Sequence, residues 1–93
     1  MNQEEILRKA MQIKGREHQK GMLMEELGEL MSALNKLDRG RDSVDHIAEE
    51  LADVLIMLEE WMLELDCVSD VYRWHNIKLL RLAERLGLAE PSE

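Results

Sequence analysis

The chain has 93 residues, 45% hydrophobic and 34% charged, with 20 acidic against 12 basic side chains and a formal net charge of −8. A chain this short makes one domain with a limited core of its own. The negative balance argues against a nucleic acid polymer as partner, and no apolar run approaches the roughly 20 residues of a membrane span.

Leu, Met, Ala, Glu, Lys and Arg dominate, Phe is absent, and the single proline, Pro91, leaves the interior free of breakers. These residues favour helix over strand. The expected fold is all-α: a four-helix bundle around a central antiparallel helical hairpin, completed by oligomerisation. The chain reads as lacking a secretory leader. Its lone Cys67 cannot form an intrachain disulfide, which fits the cytoplasm, the expected location. Residues 1–88 are expected to form the domain and 89–93 a disordered tail.

In chain order, Asn2 and Glu5 resemble a capping box ahead of Ile6, Leu7, Ala10 and Met11, and this first helix should end near Gly15. Lys14, Arg16 and Lys20 read as a solvated basic cluster, and His18-Gln19 as surface or helix-end residues. The second helix should run from Arg16 or Glu17 to Leu37. Leu23, Leu27, Leu30, Leu34 and Leu37 form its apolar seam, and Met22, Glu26, Glu29 and Ala33 a stripe beside it. Gly40 suits a left-handed helix stop, and Asp42 or Ser43 the next N-cap.

The third helix, about Val44 to Leu65, is the most apolar. Val44, Ile47, Leu51, Val54, Leu55, Leu58, Met62 and Leu65 make one seam, which Met57 and Trp61 widen. So wide an arc in so short a chain predicts a partner subunit. His46 reads as a supporting neighbour of Glu50 or a helix-N-terminal residue, since the Glu-x-x-His pair of di-iron bundles is missing. After Asp66–Asp70, with Ser69 or Asp70 as cap, a fourth helix should reach Leu86 and stop at Gly87. Tyr72, Leu79, Leu82, Ala83 and Leu86 give its inner face. Lys78, Arg81 and Arg85 share another stripe, either a solvated basic face or an anion clamp. Trp61 and Trp74 read as core or interface residues.

The chemistry gathers in the central hairpin. Glu26 and Glu29 are three apart, as are Glu50 and Asp53, so each pair shares a helix face. Both pairs are symmetric about the turn between Arg39 and Gly40. A hairpin folded there sets Glu26 beside Asp53 and Glu29 beside Glu50. Either pair alone is what an acidic helix surface produces by chance. Four carboxylates in one register suit a hard divalent cation, Mg²⁺ first and Mn²⁺ second.

Glu25-Glu26-x-x-Glu29, a spacer and Glu50-x-x-Asp53 resemble the signature of the MazG-like nucleoside triphosphate pyrophosphohydrolases, in the all-α NTP pyrophosphatase superfamily with the all-α dUTPases. The flanking run Ile47 to Val54 and the phrase Lys78-x-x-Arg81-Leu82-x-x-Arg85 are also similar. The resemblance spans about Gln19 to Leu86. It implies Mg²⁺-dependent hydrolysis of an NTP or dNTP to the monophosphate and pyrophosphate, by a homodimer or homotetramer. Glu26, Glu29, Glu50 and Asp53 would be the catalytic metal ligands, with Lys78 and Arg81 contacting phosphate. A non-catalytic nucleotide- or metal-binding module and a structural helical oligomerisation domain are the alternatives. The intact set of four carboxylates favours the enzyme.

Overall fold

The computed structural model describes residues 1–88; the tail expected at 89–93 lies outside the described residues. Four α-helices follow in order: α1 (Gln3–Lys14), α2 (Arg16–Asp38), α3 (Val44–Glu64) and α4 (Val68–Arg85). There is no strand among the described residues, as the composition implies. Asn2 caps α1, its side chain accepting from the Glu5 N–H at 2.9 Å while its amide donates to the Glu5 carboxylate. Gly15 separates α1 from α2 at φ +89°, a conformation costly for any residue with a Cβ.

The α2–α3 turn closes as its residues dictate. Gly40 takes φ +70°, its N–H donating to the Leu37 carbonyl, and Ser43 caps α3 by accepting from the His46 N–H at 3.1 Å. The start of α4 differs from the expected cap at Ser69 or Asp70. The helix begins at Val68 behind Cys67, which makes no side-chain cap bond, and Asp66 supplies the turn at φ +52°. Asp tolerates the left-handed region better than most residues.

α2 and α3 pack along their length, and α1 lies across α3. The core residues are Leu7 and Met11 of α1, Ala33 of α2, and Ile47, Val54 and Met57 of α3. Met57 is therefore buried within the protomer, not on an outward flank, and Trp61 is half-buried. The outward apolar surface lies elsewhere. Leu27 and Leu34 of α2 and Leu51, Leu55 and Leu58 of α3 are exposed, Leu55 to 57%. Of the stripe beside the leucine seam, Ala33 is buried, Met22 and Glu26 are half-buried and Glu29 is exposed.

α4 packs only on α3, and lightly; it buries none of its residues. Its expected inner face is open, with Tyr72, Leu79, Leu82 and Leu86 all exposed. The radius of gyration is 16.7 Å, against about 12 Å for a compact chain of this length. An apolar groove of about 270 Å³ lies where α1, α3 and α4 diverge, lined by Leu7, Met62, Leu63, Val68 and Tyr72 with Gln3, Glu4 and Glu59.

The register symmetric about the turn extends past the carboxylates to Gln19 and Glu60. The Gln19 amide donates to Glu60 Oε1 at 2.7 Å, and both residues are 3% exposed. The Gln19 carbonyl oxygen in turn meets His18 Nδ1 at 2.9 Å. Gln19 is thus a core residue, not the surface or helix-end residue its polarity suggests. Beside this pair Arg16 meets Glu64 at 3.3 Å and lies 5.6 Å from the Trp61 ring centroid, so it is engaged at the helix start. Gln19→Ala removes the donor from a buried carboxylate and should destabilise the fold by about 1–3 kcal/mol, read as a shift in the urea midpoint. An unchanged midpoint would contradict this role.

Candidate metal centre

Glu26 and Glu29 stand one turn apart on α2, and Glu50 and Asp53 one turn apart on α3, in the middle of the packed hairpin. One carboxylate oxygen from each of Glu26, Glu29 and Glu50 lies within 4.8 Å of the others. Asp53 stands outside that trio but remains close enough for its charge to act on Glu26. The sequence set of four therefore meets as a tight group of three with Asp53 as a half-buried neighbour. Glu25 is exposed and adds only a weak field.

The Glu26 carboxyl is held above its ordinary range, first by burial and then by the charges of Glu29, Asp53, Glu50 and Glu25 in that order. Glu26 Oε2 and Glu50 Oε2 are both buried without a hydrogen-bond partner among the described residues. Orphaned buried carboxylate oxygens are costly, and a cation is the group that removes the cost. The donor set is all oxygen, with neither Cys nor His in the trio, which suits a hard divalent ion. The residues fit such an ion.

The polar residues beside the trio are ordered too. His46 places Nδ1 2.7 Å from Asp42 Oδ1 and Nε2 3.2 Å from Glu50 Oε1. Asp42 also accepts the Ser43 N–H at 2.8 Å. Its carboxyl sits below the usual range, mainly through that backbone bond and against a desolvation penalty, with His46 assisting. The His46 imidazole is raised, chiefly by its hydrogen bond to Asp42 and by the Asp42 charge. Asp42 is the site residue that sequence reading missed, as it had been considered only as a cap. The signal was present as the i, i+4 column Asp42, His46, Glu50.

Lys78 and Arg81 are not brought to the carboxylates by their own protomer. Both are exposed on α4, which makes no contact with α2. Among the described residues no helix is long and apolar enough to cross a membrane.

Fold and site together define an all-helical protein whose central hairpin concentrates carboxylates suited to a hard divalent cation. The chain belongs to the MazG nucleotide pyrophosphohydrolase family: the MazG nucleotide pyrophosphohydrolase domain model matches residues 14–60, just over half of the chain. That match runs through α2 and most of α3 and contains all four carboxylates; Lys78 and Arg81 lie beyond it. No curated protein and no solved structure gives a significant match.

The raised Glu26 has a consequence for stability. A carboxyl whose folded pKa exceeds its unfolded value stabilises the fold below the unfolded value, and that contribution is lost as pH rises through the folded one. In chelator, Glu26→Gln should melt above wild type at neutral pH, and the two should converge in mild acid. Added Mg²⁺ at neutral pH should raise the wild-type melting temperature more than that of the variant. Circular dichroism melts at matched ionic strength measure both, and parallel curves would contradict the expectation.

Proposed function

We propose that this protein is a Mg²⁺-dependent pyrophosphohydrolase that converts a nucleoside or deoxynucleoside triphosphate to its monophosphate and pyrophosphate. The observation that carries this reading is the trio Glu26, Glu29 and Glu50, within 4.8 Å and with two buried orphaned oxygens, inside the segment that matches the family. Residues 1–88 act as a single domain, and the lone Cys67 suits a reducing cytoplasm. Glu26, Glu29, Glu50 and Asp53 hold Mg²⁺, for which Mn²⁺ can substitute. The bound ion supplies neutralisation of triphosphate charge and a lowered pKa for a water.

The protein's own residues do the rest. Water adds its oxygen to the attacked phosphorus, the bond joining the α- and β-phosphoryl groups breaks, and pyrophosphate leaves. A carboxylate of the set with a free oxygen accepts the proton that water gives up. Partial burial of the seam keeps these charges in a low dielectric, where they act strongly.

Lys78 and Arg81 contact the phosphates, and in this reading they do so from a second copy of the chain. α4 carries the basic stripe beside an open apolar face, while Leu27, Leu34, Leu51, Leu55 and Leu58 leave the hairpin's outer side uncovered. A homodimer, or a homotetramer built from it, covers both surfaces at once.

A screen of common NTPs and dNTPs with Mg²⁺, reading pyrophosphate release, tests the activity. Glu29→Gln and Asp53→Asn should each abolish release and leave helical content intact; near-wild-type turnover in either would defeat the assignment. Lys78→Ala should weaken triphosphate binding by about 1.5–3 kcal/mol, the usual loss of a charge-assisted contact. At a triphosphate concentration too low for Lys78→Ala to turn over, mixing it with Glu29→Gln should restore part of the activity, because one mixed site keeps both native contributions. No recovery after verified subunit exchange would place Lys78 on its own protomer's site.

A further inference from the structure

Resting on the metal-binding reading above, we infer that Asp42 and His46 are positioning residues that fix the orientation of Glu50 for the divalent ion. The three residues are four apart at each step, Asp42 in the turn before α3 and His46 and Glu50 on its first two turns. Each link is short. The Ser43 N–H holds Asp42 Oδ1 at 2.8 Å, Asp42 Oδ1 meets His46 Nδ1 at 2.7 Å, and His46 Nε2 meets Glu50 Oε1 at 3.2 Å.

The imidazole thus stands between the two carboxylates, hydrogen-bonded to Asp42 through Nδ1 and in contact with Glu50 through Nε2. Glu50 is 8% exposed, so a fixed neighbour limits the orientations its carboxylate can take. With His46 against Oε1, the other oxygen, Oε2, is buried and unpartnered among the described residues. Glu50 is thereby presented with one oxygen against the imidazole and one left over. Partners of this kind set the rotamer of a metal-binding side chain.

Helix capping does not account for the His46 side chain. Ser43 Oγ already caps α3 through the His46 backbone N–H, and the imidazole takes no part in that bond. The His46 side chain is 45% exposed, while the Asp42 and Glu50 side chains that it touches are 9% and 11% exposed. What the column does fix is the direction of a buried carboxylate within the trio.

The test is direct Mn²⁺ binding to the full chain without nucleotide, read by the electron paramagnetic resonance signal of free ion, with melting in chelator alongside. His46→Ala should weaken Mn²⁺ binding about tenfold, in the range expected for loss of such a partner, in protein that its melt in chelator shows to be folded. His46→Gln, whose amide can still donate toward Glu50, should recover part of the affinity. Asp42→Ala should weaken binding in the same direction, and the double variant should lose no more than His46→Ala alone, since both act through one oxygen of Glu50. Mn²⁺ affinity unchanged in both single variants overturns the inference while leaving the metal site standing. Additive losses in the double variant overturn it as well. Wild type that binds no Mn²⁺ overturns both this inference and the metal-binding reading, so the two failures are distinguishable. Should His46→Ala fold poorly, Asp42→Ala, in the turn before α3, decides alone.

Discussion

The antiparallel register of α2 against α3 is the constraint on which the rest depends. Gly40 stops one helix in a left-handed turn and Ser43 starts the next. So short a connection leaves the helices no choice but to fold back on each other. Once the turn is set, every residue on the inner stripe of α2 has a determined partner on α3. Gln19 meets Glu60 and Ala33 lies within the packed seam, while Glu26 and Glu29 converge with Glu50. The same geometry that packs the protomer therefore concentrates its negative charge.

Concentration has a cost that the rest of the seam offsets. Burial, and then the charges of its acidic neighbours, hold the Glu26 carboxyl above its ordinary range. The apolar contacts of Ile47, Val54 and Met57 hold the helices together across this repulsion, and the buried Gln19–Glu60 bond ties the far end. Two of the buried polar atoms left without a partner among the described residues are carboxylate oxygens of this seam, the third being Trp61 Nε1, and the family match covers the same stretch.

The chain is open on two sides. The outer leucines of the hairpin and the inner face of α4 are exposed together, with Leu86 at 62%. α4 carries cations in a chain of net charge −8, yet it stands away from the carboxylates. An acidic site by itself repels a triphosphate at long range. Basic side chains such as Lys78 and Arg81 on α4 are a source of attraction that the carboxylates are not.

Much of this was legible in the residues. Helical periodicity, the Asn2 and Ser43 caps and the Gly40 stop place three of the helix boundaries, and symmetry about the turn draws the acids of the two helices toward one another. They do not meet in the pairs it suggests: Glu26, Glu29 and Glu50 form the group and Asp53 stands outside it. The family motif is equally local, because its spacing is a helix-face spacing. What the tertiary structure decided is which of two neighbouring rows on each helix turns inward. Periodicity reports that Leu27, Leu34, Leu51 and Leu55 are apolar, but an amphipathic stripe does not say whether its own chain or another covers it. Burial of Met57 and Gln19, the lightly packed α4, and the turn of His46 toward both Asp42 and Glu50 followed from interhelical angle and rotamer. Those quantities depend on all the packed side chains at once, and no single stretch of sequence contains them.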